Sequence, residues 1–132
     1  MKIYISAKFE RSVEVKELGE HFEKQGHKLV NHWITHKSIW PYAKNSKTAR
    51  EYAIEDLSDT IGCDVFVFLC GEVKSGGMHV ELGAAIASAV KTGKPKIYVV
   101  GETNDSSIFY FHPTVERKSN VHEVIAELEK LF

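Results

Sequence analysis

The 132-residue sequence has two cysteines, Cys63 and Cys70, too few for a disulfide framework. An extended segment between them would hold them roughly 23 Å apart, so they do not bridge within one chain and read as small core residues of a reducing compartment. Charge of one sign is also missing. Seventeen Lys and Arg against 18 Asp and Glu leave a formal net charge of -1, which removes the basic footprint that a nucleic-acid polymer needs. No apolar run approaches the ~20 residues of a membrane helix, and the chain opens on a strand-like Lys2-Ile3-Tyr4-Ile5 instead of a leader. A cytoplasmic protein with no membrane partner is expected. No repeat, linker or low-complexity tract interrupts the sequence, so residues 1–132 read as a single domain that buries about two-thirds of its unfolded surface.

What the sequence does contain is organised around Ser75-Gly76-Gly77-Met78-His79-Val80-Glu81-Leu82-Gly83-Ala84-Ala85. The run Val65-Phe66-Val67-Phe68-Leu69-Cys70 before it has no polar alternation and predicts a strand buried on both faces. After it, Leu82, Ala85, Ile86, Ala89 and Val90 recur at helical spacing and predict a core-facing helix with Glu81 in its first turn. An acid at that place is favoured by the helix macrodipole without any catalytic duty. Two features add to it: Gly83 inside the helix costs roughly 1 kcal/mol relative to alanine, and Gly76 and Gly77 let main-chain N–H groups come close to an anion.

Around this unit strands and helices alternate. Strands are expected at Lys2–Ser6, His27–Asn31, Asp64–Cys70 and Lys96–Val100, with a weak fifth within Ser107–Val115. Helices are expected at Val13–Gln25, Arg50–Ile61, after Met78, and at Val121–Leu131 with Ser119 as cap; Gly26 and Gly62 stop the first two. Residues 33–49 read as irregular. The pattern predicts an α/β, flavodoxin-like or Rossmann-like three-layer sandwich with a mainly parallel five-stranded sheet in the order 2-1-3-4-5. Ligands of such folds bind outside the carboxyl ends of the strands, where Glu81 and the loop Ser6–Ser12 belong.

Several side chains are candidates for chemistry. In Glu55-Asp56-Leu57-Ser58-Asp59, Ile54, Leu57 and Ile61 define a buried stripe, with Asp56 beside it. Paired carboxylates across a sugar are what glycosidic cleavage needs, although acidic runs on helices are commonly a solvated face. Tyr4 on the first strand offers a hydroxyl to a carboxylate across the crevice, or simply packs. Lys24, Lys28, Lys37, Lys44, Lys47 and Arg50, interleaved with Trp33, Trp40 and Tyr42, suit a lid or a dimer contact better than a nucleic-acid groove. His32 and His36 have i, i+4 spacing but no helix and no carboxylate between them, so no metal is expected. The first loop has no Ser/Thr-rich cradle for flavin, and Leu69-Cys70-Gly71 has no aspartate to phosphorylate; no cofactor is expected.

Lys2-Ile3-Tyr4-Ile5, Glu55-Asp56-Leu57 before Cys63-Asp64-Val65, and Gly76-Gly77-Met78-His79-Val80-Glu81-Leu82-Gly83 closely resemble the nucleoside 2-deoxyribosyltransferase family, which includes deoxynucleoside 5'-monophosphate N-glycosidases. The resemblance runs over nearly the whole chain, through Gly93-Lys94-Pro95. It implies Glu81 as nucleophile, Asp56 as the acid at the departing base or a hold on the sugar, and Tyr4 as the group that orients the nucleophile. Ser75 stands where the monophosphate hydrolases have a phosphate-binding serine and the transferases tend to have aspartate. Lys8 or Arg11 would replace the phosphate ligands that the hydrolases carry after their first strand, with Glu10 opposing. Ser6, Gly77 and Trp33 complete the expected substrate contacts. The implied reaction is cleavage of the N-glycosidic bond of a (deoxy)nucleoside 5'-monophosphate; transfer of deoxyribose between bases, NAD glycohydrolysis and nucleotide sensing without turnover are the alternatives. The family also implies a homodimer. His79 and the stretch 33–47 match no assigned role.

Overall fold

The β-branched and aromatic segments form five strands: β1 (Lys2–Ser6), β2 (Lys28–Leu29), β3 (Val65–Leu69), β4 (Lys96–Val100) and β5 (Val115–Lys118). Between and after them lie α1 (Ser12–Lys24), α2 (Ser46–Gly62), α3 (Gly76–Thr92) and α4 (Val121–Lys130). This is a computed structural model that describes residues 1–71 and 76–131; Ser75 lies outside the described residues. All neighbouring strands pair in parallel in the order β2-β1-β3-β4-β5, as the alternating pattern predicts. Every residue of β3 is buried, which accounts for its lack of polar alternation.

The helices divide between the two faces. α2 packs on α3 over one face, while Gln25 Nε2 at the end of α1 donates to Glu129 Oε1 of α4 at 2.8 Å over the other. The core between them includes Ile3, Ile5, Val15, Phe22, Phe66, Leu82, Ala85, Tyr98, Val124 and Leu128. No helix is long and apolar enough to cross a membrane among the described residues.

Several expectations change. β2 is two residues long, not the expected His27–Asn31. The Asn31 side chain takes over the pairing, accepting from Ile5 N at 2.8 Å and donating to Ile5 O at 2.6 Å, so an amide replaces a strand edge. The irregular stretch contains short 3-10 turns at His32–Thr35 and Tyr42–Asn45, and α2 starts at Ser46, before the expected Arg50. The turn at Tyr42 feeds directly into that helix, where no apolar period announces it.

α2 is also rotated relative to its expected stripe. Ile54 and Ile61 are 61% and 51% exposed, Thr60 is buried, and Asp56 and Asp59 turn inward. On α3, Glu81 sits in the second turn; no acid occupies the first, so a macrodipole contact does not account for it. Val90, expected in the core, is 65% exposed. The cap of α4 is Asn120, whose Oδ1 accepts from Glu123 N at 3.1 Å, not Ser119. Gly26 does end α1, at φ +92°.

Candidate active site

Strand alternation builds the centre of the site. Tyr4 and Ser6 are two residues apart on β1 and share a face, opposite Ile3 and Ile5. The register pairs them with Phe66 and Phe68, and the Tyr4 ring stacks on Phe66 with centroids 5.7 Å apart. α3 crosses this face, and both hydroxyls meet the Glu81 carboxylate: Tyr4 Oη donates to Oε2 at 2.6 Å and Ser6 Oγ to Oε1 at 2.7 Å. Each carboxylate oxygen thus has its own donor on a rigid strand, with the geometry of a clamp.

Electrostatics set the clamp's charge. Burial pushes Glu81 up to about 7; the Tyr4 and Ser6 hydrogen bonds oppose that, and the charges of Asp56 and Asp59 add to it. The Tyr4 hydroxyl is driven far upward by burial and by Glu81, so it stays a donor.

Asp56 comes from α2 and faces the same space. Together with Glu81 it lines a cavity of about 490 Å³ bounded also by Ala7, Lys8, Trp33 and Gly77. Burial raises Asp56 to about 6, with His36 pulling down and Glu55 and Asp59 pushing up. Its buried Oδ1 has no hydrogen-bond partner among the described residues. An adjoining chamber of about 620 Å³ opens beyond Asp56 toward Trp40, Tyr42 and Tyr52, with His36 and Phe9 lining both spaces.

The expected substrate contacts divide. Lys8, Gly77 and Trp33 line the cavity; Trp33 Nε1 is spent on Ile5 O at 3.0 Å, so that residue offers a ring face. Ser6 is given to Glu81 rather than to substrate. Arg11 is not brought to the cavity: its guanidinium holds Glu14 at 2.8 Å through Nε and Nη2, and Cys70 O at 3.1 Å through Nη1. Glu10 lies at the rim of both spaces. Ser75 falls outside the described residues.

His79 is away from this chemistry. Its Nε2 is 2.9 Å from Tyr110 Oη, and its ring packs edge-on against Phe68. Gly83 has no heavy atom of the described residues within 4 Å of where a Cβ would stand, so none of them requires its bare backbone.

The sequence reading missed His36 and Tyr52. His36 Nε2 lies 2.7 Å from Glu55 Oε1, its Nδ1 lies 3.9 Å from Asp56 Oδ1, and its ring stacks on Tyr52 at 3.6 Å and 4°. The available signal was the polar spacing Tyr52, Glu55, Asp56, Asp59, which is one face of a helix. Of the two histidines with i, i+4 spacing, His32 pairs with Asp59 and His36 with Glu55. His36, Glu55 and Asp56 are also the described group close enough to hold a cation. Within it the two carboxylates lie nearest opposite nitrogens of one imidazole, Glu55 at Nε2 and Asp56 at Nδ1.

No protein-family model and no curated protein matches the chain. Among solved structures it is similar to the CMP N-glycosidase BcmB of Clostridium botulinum, with a TM-score of 0.62 over 100% of both chains and 17% sequence identity, a likeness of fold.

Proposed function

We propose that this chain cleaves the N-glycosidic bond of a (deoxy)nucleoside 5'-monophosphate. The observation that carries the proposal is the Glu81 carboxylate, gripped by Tyr4 and Ser6 in a cavity that it shares with Asp56. Glu81 attacks the anomeric carbon while Asp56 protonates the departing base, giving a glycosyl ester on Glu81. Water then displaces the ester and releases the sugar phosphate. The whole-chain likeness in fold to a CMP N-glycosidase supports the substrate class.

Phosphate recognition falls to Lys8, to Ser75, and to main-chain N–H groups at Gly77 near the start of α3, with Arg11 able to join only if it leaves Glu14. Hydrolysis and transfer share the glycosyl intermediate and differ in whether water or a second base enters. A homodimer is supported by apolar residues turned outward on adjacent helices: Ile54 and Ile61 on α2, and Val80 and Val90 on α3, each more than half exposed. Cytoplasmic location remains part of the same proposal.

The test is chromatography of nucleosides, 5'-monophosphates and NAD after incubation, with and without an acceptor base. Free base from a monophosphate is the expected result. Release of nicotinamide, a new nucleoside carrying the acceptor, or tight binding without product would replace the proposal by glycohydrolysis of NAD, transfer or sensing respectively.

A further inference from the structure

Asp56 has a buried oxygen with no hydrogen-bond partner among the described residues, yet the proposed reaction asks it to give up a proton at each turnover. The group placed to serve it is His36. The imidazole is fixed on two sides: Nε2 lies 2.7 Å from Glu55 Oε1, and the ring lies flat on Tyr52 with centroids 3.6 Å apart. That hold aims Nδ1 at Asp56 Oδ1, 3.9 Å away, a gap that a small side-chain rotation or one bridging water closes. The His36 side chain is 12% exposed, Asp56 25% and Glu55 42%, so the imidazole is the most buried of the three and Glu55 is the end nearest solvent.

We propose that His36 is a positioning residue that holds and resupplies the proton of Asp56, with Glu55 fixing the imidazole. The proposal rests on the glycosidase reading for its catalytic consequence and on geometry alone for the pairing. As the bond from C1' to the base nitrogen breaks, Asp56 gives its proton to the base and becomes a carboxylate. The Nδ1 proton of His36 replaces it while the Nε2–H stays on Glu55, and Nδ1 is reprotonated by the proton that the second step releases. The water that opens the Glu81 ester puts its hydroxyl on the sugar and returns one proton to the site. Each turnover consumes one water and needs no other co-reactant.

Among the described residues, the charged and titratable groups facing this cluster include Lys8 and Tyr42, which line the cavity with it. Tyr52, Glu55 and Asp59 come from α2, His32 from the preceding turn, Glu10 and Lys37 from the loops lining the chambers, and Tyr4 and Glu81 from the clamp. Among them His36 pulls Asp56 down and Glu55 pushes it up. Removing one or the other therefore moves Asp56 in opposite directions, a signature that loosened packing would not give.

The experiment is a carboxyl ¹³C NMR titration of Asp56 in the parent, His36→Gln and Glu55→Gln, with pH profiles of kcat and KM on the monophosphate that the parent cleaves. Asp56 should titrate higher than in the parent in H36Q and lower in E55Q. In H36Q, kcat should fall on the order of 10-fold, KM should stay within about twofold, and the acidic limb of the profile should follow Asp56 upward. Asp56 titrating identically in all three proteins overturns the proposal, as does an H36Q variant with raised KM and parental kcat. If H36Q does not fold, a downward shift in E55Q supports the pairing and an unchanged value overturns it. If the parent releases no base from any nucleotide while Asp56 moves as stated, the glycosidase reading fails and the pairing stands.

Discussion

The two walls of the cavity are built on opposite plans. The wall carrying Glu81 joins a central strand to a core-facing helix, and each carboxylate oxygen is hydrogen-bonded by a buried hydroxyl of β1. The wall carrying Asp56 is a helix with Ile54 and Ile61 outward and its acids inward, and Asp56 Oδ1 has no hydrogen-bond partner among the described residues. A nucleophile has to be held still at a defined charge, whereas an acid has to lose and regain a proton, so a fixed clamp suits one and a half-open polar face suits the other.

The sharpest break of that contrast is Glu81→Ala. It should lower base release on the order of 10³-fold or more, measured by chromatography, because no other carboxylate among the described residues is clamped at that place. Asp56→Asn should cost about 10²-fold on a neutral base, since the leaving group then departs unprotonated. Tyr4→Phe removes one bond to a charged acceptor and should cost roughly 10- to 100-fold in kcat/KM. Because that bond holds Glu81 down, its loss also moves the alkaline limb of the pH profile upward.

The parent's own profile sharpens the comparison. With Asp56 raised to about 6 and Glu81 to about 7, kcat/KM should trace a narrow bell with its maximum between those values. Stability should follow a related course. The Glu81 value rises from 4.5 to about 7 on folding, so the folded chain binds the proton more tightly than the unfolded one. That contribution is complete below about pH 4.5 and is lost as pH rises through 7. Glu81→Gln should therefore match the parent in urea unfolding at pH 4 and exceed it at pH 8, by up to about 3 kcal/mol. The smallest effect expected on chemistry is that of Ile54→Glu, which should shift the proposed dimer toward monomer in sedimentation while leaving the fold intact.

The same contrast explains what could be read in advance. The Glu81 wall follows from local rules: an unbroken apolar strand, helical spacing after the glycines, and the two-residue alternation that puts Tyr4 beside Ser6. Ser6 as a second donor to Glu81 was within reach of that alternation, although the loop position suggested a substrate contact. The Asp56 wall does not follow from hydrophobic periodicity, because α2 leaves Ile54 and Ile61 in solvent and turns its polar side inward. Arg11 shows a third kind of miss: its charge suited phosphate, but Glu14, three residues on, lies within one helical turn and captures it. The shortness of β2 was equally hidden, since only the folded chain shows Asn31 standing in for a strand edge.

In the proposed reaction Glu81 becomes covalently attached to the sugar. The most direct test is mass spectrometry of the peptide containing Glu81 after mixing the protein with a 5'-monophosphate whose fluorinated sugar slows the second step. Stoichiometric release of base together with a sugar-phosphate adduct on Glu81, absent in Glu81→Ala, is the expected result. Release of base by Glu81→Ala at the parental rate, or an adduct on another residue, would contradict it.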